Sequence, residues 1–113
     1  MNIAKSLLVL ALLTSPSAAW ATSGNDLVKW IPEYEANKAT FAGGLFIGYV
    51  TGIADFGRGF LFCPAGNVTN GQNAAIVVKY LKNNPEKWNW QASTLVVEAL
   101  SNAYPKCPDV KNP

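Results

Sequence analysis

Histidine is absent from the 113 residues, and with it go the commonest general base near neutral pH and the commonest zinc ligand. Charge is also sparse, at 14% of residues with a formal net charge of +2. No basic stripe is present to neutralise phosphates, which argues against nucleic acid as a partner. Beyond the first 21 residues the serines are only Ser23, Ser93 and Ser101, none in a nucleophile-elbow setting. The carboxylates Asp26, Glu33, Glu35, Asp55, Glu86, Glu98 and Asp109 are scattered, with no pair at helical i, i+3 or i, i+4 spacing. Nothing here supports catalysis, a metal site or a cofactor. No apolar run approaches the roughly 20 residues of a membrane-spanning helix, and no period-2 alternation marks a strand.

What is present begins with an export signal. Met1 to Ala21 carries one cation (Lys5), an apolar run from Leu7 to Leu13, and the ending Ala19-Trp20-Ala21. That pattern predicts a secretory signal peptide over 1–21, cleaved to leave a single domain over 22–113. Losing Lys5 lowers the net charge to +1. Export also sets the redox context for Cys63 and Cys107, which are expected to pair with each other. Such a bridge stabilises by about 4 kcal/mol in the chain-entropy model. Two free thiols or an intermolecular bridge are the competing arrangements.

Helix signals recur along the mature part. Ser23 to Asp26 reads as a helix start, followed by an apolar face of Leu27, Trp30, Ile31 and Tyr34 that Pro32 should kink or end. Thr40 is a candidate N-cap for a long uncharged stretch reaching Asp55, expected to be the buried central element. In that stretch Gly44, Gly48 and Gly52 form a small-residue stripe, predicted to allow close helix packing or dimer formation. Thr69 and Gln72 have capping-box spacing before the inward face of Ala74, Val77, Val78 and Leu81. Asn84-Pro85-Glu86 reads as the start of a last helix running through Trp88, Ala92, Leu95, Val96, Ala99 and Ala103 to Pro105. The predicted fold is an all-α bundle of about four helices, closed by one disulfide across the open end of the last helical hairpin.

Two surface features stand out. Asp55 ends the uncharged run with Arg58 three residues on, which reads as a helical ion pair or capped helix end. The connection from Lys82 to Ala92 holds Trp88 and Trp90, which cannot both face the core of one helix, being about 200° apart. Trp88 is assigned inward and Trp90 outward, beside Lys87 and Asn89. Those four residues are the candidate partner-binding site, because an exposed tryptophan rimmed by polar groups suits a binding anchor.

The segments "SGNDL", "GYVTGIADF", "FCPAGNVTNGQ", "VVKYLKNNPE" and "LVVEALSNAYPKC" follow one another in an order that resembles the Rap/Tai family of type VI secretion immunity proteins. The resemblance covers nearly all of Gly24 to Cys107. It implies a small helical periplasmic protein, often a homodimer, that binds and blocks a peptidoglycan amidase delivered by neighbouring cells. Two departures are visible. A second cysteine pair that many members carry, near Ile31 and within Leu45 to Ile47, is missing, and Lys106 separates Pro105 from Cys107. The competing functions are a periplasmic acid-stress chaperone, which seven mature carboxylates scarcely support, and a carrier of an apolar ligand.

Overall fold

The computed structural model describes residues 21–109; the signal peptide expected over 1–21 lies outside them but for Ala21. Helices α1 (Gly24–Glu35), α2 (Phe41–Gly57), α3 (Asn70–Asn83) and α4 (Ala92–Ala103) follow in order, with a single 3-10 turn at Pro85–Lys87 before α4. Among the described residues there is no strand beyond two isolated bridges, Ser23 with Gln91 and Arg58 with Phe62. No helix among them is long and apolar enough to cross a membrane.

Each of the first three helices starts as its capping chemistry dictates. Ser23 and Asp26 close a reciprocal capping box at α1, with Asp26 Oδ2 accepting the Ser23 N–H at 2.9 Å. Thr40 Oγ1 accepts the Gly43 N–H at 3.2 Å at α2. Thr69 and Gln72 form the second box, at 2.8 and 3.1 Å. Each box satisfies two backbone donors that a helix N-terminus otherwise leaves orphaned.

Pro32 does not end α1. The helix runs on to Glu35, where the Ala36 N–H bonds back to the Pro32 carbonyl. Ile31, buried in the core, holds the residue before the proline in helical geometry against its usual extended preference.

The core gathers Leu27 and Ile31 of α1, Phe46, Val50 and Ala54 of α2, Phe62 of the α2–α3 connection, Ala74, Val77 and Leu81 of α3, and Ala92, Leu95, Val96, Ala99 and Leu100 of α4. All four helices touch one another, and α2 packs most extensively against the other three, which makes it central. It is not buried all round, however. Its inward stripe is Gly43, Phe46, Val50, Ala54 and Gly57, while Gly44, Gly48 and Gly52 lie on the outer face with nothing within 4 Å of a built Cβ. The close helix approach expected at that stripe is not made within the chain. The close approach occurs instead at Gly57, where a Cβ would meet the Phe62 ring at 2.8 Å.

Cys63 and Cys107 are bonded, with Cα atoms 4.9 Å apart. The Cys63 N–H also donates to the Pro105 carbonyl at 3.0 Å. Nearby, the Tyr104 hydroxyl bonds Asn73, a buried polar side chain at the start of α3. The open end of the α3–α4 hairpin is therefore closed by a covalent, a backbone and a side-chain link together.

Asp55 and Arg58 form no ion pair. Arg58 is the residue that caps α2 in extended conformation, which swings its side chain off the helix and lets Nη2 reach the Gly66 carbonyl at 3.2 Å.

Candidate protein-docking loop

The connection between α3 and α4, at the end of the hairpin away from the disulfide, departs from the expected continuous helix. Only Pro85–Lys87 forms a 3-10 turn, and α4 begins at Ala92. The reason lies in where the carbonyls point. Those of Trp88 and Trp90 accept the N–H groups of Asn25 and Gly24, at 2.7 and 2.9 Å, so they do not propagate a helix. In return the Ala92 N–H, an orphan donor at the start of α4, bonds to the Thr22 carbonyl at 2.8 Å. The beginning of α1 thus straps the back of the loop.

Gly24 makes this strap fit. A Cβ there would lie 2.8 Å from the Trp88 carbonyl oxygen, 2.9 Å from the Trp88 Cα and 2.5 Å from Leu95 Cδ1. Helix and loop meet backbone to backbone, which requires glycine.

The two tryptophans take the assigned sides, though by loop geometry rather than helical phase. Trp88 is half-buried, and its indole N–H donates to the Leu81 carbonyl at 2.7 Å, satisfying the C-terminal end of α3. Asn84 does the same for Tyr80, donating from Nδ2 at 2.8 Å. Asn84 therefore ends α3 and makes no side-chain cap to the turn that follows. Trp90 is 44% exposed. Asn89 beside it is exposed as well.

Lys87 lies between the aromatic groups. Its Nζ is 3.1 Å from the Tyr80 hydroxyl, 3.4 Å from Glu98 Oε2, and 5.1 Å from the centre of the Trp90 ring. The Tyr80 hydroxyl donates to Glu98 Oε2. These contacts shift the acid–base balance consistently. The hydrogen bond from Tyr80, then Lys87, holds the Glu98 carboxyl below its ordinary range. Hydrogen bonding to Tyr80 and then Glu98 raises Lys87, while burial and the Glu98 bond raise the Tyr80 hydroxyl. At neutral pH the cluster is a charged lysine, an ionised glutamate and a neutral tyrosine.

Of the candidate residues, the loop brings Lys87, Asn89 and Trp90 to one surface and tucks Trp88 beneath it. The glycine stripe lies elsewhere, on the outer face of α2. Sequence reasoning missed Gly24, Tyr80 and Glu98. Tyr80 and Glu98 stand 18 positions apart on different helices and carry no motif. Gly24 was readable only as part of a helix start. Also unforeseen were the exposed phenylalanines Phe41 at 82% and Phe56 at 72%, which flank the glycine stripe, and Phe60, which packs edge-on to Phe56 at 5.4 Å. Among the described residues no cluster of three or more acidic or cysteine side chains is placed to hold a metal.

No curated protein matches the chain. A family model, that of the Rap1a immunity proteins, matches residues 23–107. That span runs from the Ser23 cap of α1 to the second half-cystine, taking in every helix of the bundle and the strapped loop. The chain belongs to the Rap1a immunity protein family.

Proposed function

We propose that this protein is a periplasmic immunity protein that binds and inhibits a peptidoglycan amidase delivered by type VI secretion, protecting the cell that makes it. Family membership carries the reading, and the chemistry agrees with action by binding rather than by catalysis. Export by a cleaved signal peptide over 1–21 places the domain over 22–113 where such a toxin works, and where Cys63 and Cys107 oxidise. The docking surface is the strapped loop. Trp90 is its apolar anchor, Asn89 and Lys87 form its rim, and Trp88 supports it from below. Aromatic anchors in a polar surround dominate binding energy at protein interfaces.

A second surface suits a homodimer. On the outer face of α2 the glycines 44, 48 and 52 form a shallow strip with Phe41 and Phe56 at its two ends. An antiparallel copy of the same helix would set glycine against glycine and phenylalanine against phenylalanine, which is the self-complementarity a two-fold interface requires.

The experiment is protection. A type VI cell-wall amidase directed to the periplasm of a susceptible host should stop growth, and co-expression of this chain with its leader should restore it. A leaderless form should not. Failure of the exported, folded chain to bind or protect against any type VI amidase, with protection against an effector of different chemistry, would overturn the amidase assignment.

A further inference from the structure

The cation beside the anchor is not free. Lys87 Nζ has three donors, and Tyr80 and Glu98 occupy two of its directions while its charge rests against the Trp90 ring. Its side chain is only 29% exposed. The other lysine of the loop, Lys82, is paired with Glu35 at 2.7 Å. The groups the loop leaves exposed are the indole of Trp90, the side-chain amides of Asn83, Asn89 and Gln91 and the carboxylate of Glu86, with Asn25 of α1 beside them.

We infer that Lys87 is a positioning residue, pinned by Tyr80 and Glu98 so that it holds the Trp90 ring in place, and that the effector surface it serves is an apolar slot with a hydrogen-bonding rim. This deepens the docking-loop reading and rests on it. If Lys87 were instead a charge offered to an acidic effector surface, releasing it from Glu98 would strengthen binding. If it positions Trp90, releasing it lets the indole wander and weakens binding. The two roles predict opposite signs for one substitution.

The test uses the mature chain with Glu98→Gln and, separately, Tyr80→Phe. In the free protein the indole N–H signals of Trp30, Trp88 and Trp90 are followed by 15N NMR relaxation, with Trp90 assigned from Trp90→Phe. Both variants should keep the folded spectrum and the Trp88 signal while the Trp90 indole becomes markedly more mobile, and Lys87→Arg should retain most of its order. Binding to a purified type VI amidase that the wild-type chain neutralises should fall about tenfold in Glu98→Gln. Wild-type binding should change less than about threefold between 50 and 300 mM salt, a range over which exposed ion pairs are strongly screened. An unchanged Trp90 indole in both variants, or tighter binding by Glu98→Gln with a steep salt dependence, overturns the inference. Full binding by Trp90→Ala would instead sink the docking-loop reading, while the relaxation result on the free protein would still decide whether Lys87 holds the ring.

Discussion

Gly24→Ala should destabilise this protein, although glycine-to-alanine changes within helices ordinarily stabilise by up to about 1 kcal/mol. The added methyl would lie 2.8 Å from the Trp88 carbonyl oxygen and 2.9 Å from its Cα. Both are backbone atoms, and they cannot swing aside as a side-chain tip would. Either α1 or the loop must shift by several tenths of an ångström, straining the bonds from Gly24 and Asn25 to the Trp90 and Trp88 carbonyls. Overpacking of this kind costs about 1–3 kcal/mol, and the helix-propensity gain offsets part of it, so a net loss of about 1–2 kcal/mol is expected. For a domain of about 90 residues that lowers Tm by roughly 5–10 °C. Gly48→Ala is the matched control, since nothing lies within 4 Å of its added carbon. Measured by circular dichroism in dilute, monomeric protein, it should leave Tm unchanged or raise it. Effector binding should fall in Gly24→Ala, because the same shift moves Trp90. A Gly24→Ala variant as stable as Gly48→Ala would refute the account of the strap.

Trp90→Ala should cost roughly 2 kcal/mol or more of effector binding while leaving Tm nearly unchanged, read by calorimetry and thermal melts on one preparation. Gly48→Leu should dissociate any homodimer without unfolding the monomer, as sedimentation would show. The acid–base cluster fixes a pH window. Glu98 has a lowered folded pKa, so its contribution is present above the ordinary carboxylate pKa and is lost as pH falls through the folded value. Lys87 has a raised folded pKa, so its contribution holds below the ordinary lysine pKa and is lost as pH rises past the folded value. The Tm difference between wild type and Glu98→Gln should therefore be constant from about pH 6 to 9 and vanish in strong acid.

Most of the fold was legible because its determinants are local. Ser23 with Asp26, Thr40, and Thr69 with Gln72 announce three of the four helix starts through residues three apart or adjacent. The fourth was misplaced, since Asn84-Pro85-Glu86 has the composition of a helix start while the backbone beyond it is committed to α1. That commitment involves residues more than sixty positions away and leaves no local signature. The same holds for the site. Trp90 was readable as the exposed member of its pair because two tryptophans in three residues cannot share one buried side. The groups that hold it, Gly24, Tyr80 and Glu98, matter only through tertiary contact. The glycine stripe shows the converse failure, for small residues at helical spacing state that a close approach is allowed, not that one occurs within the chain.

The disulfide and the docking loop lie at opposite ends of the α3–α4 hairpin, and this separation predicts which property reduction should spare. The Cys63–Cys107 bond closes a span of 44 residues, worth about 4 kcal/mol through restriction of the unfolded chain. Little of that acts on the folded loop, whose carbonyls are held by Gly24 and Asn25 and whose Trp88 indole N–H donates to the Leu81 carbonyl. Those bonds order the loop during folding, so the entropy of fixing Trp90 is not charged against binding. Cys63→Ser with Cys107→Ser should therefore lower Tm by about 15–25 °C. Well below the new Tm, effector affinity should stay within about threefold of wild type. Alkylation of the native, unreduced protein should label neither cysteine. A Kd that rises steeply in the double variant while circular dichroism still shows the folded bundle would mean that the hairpin transmits strain from its closed end to Trp90. The loop would then not be held by its strap alone.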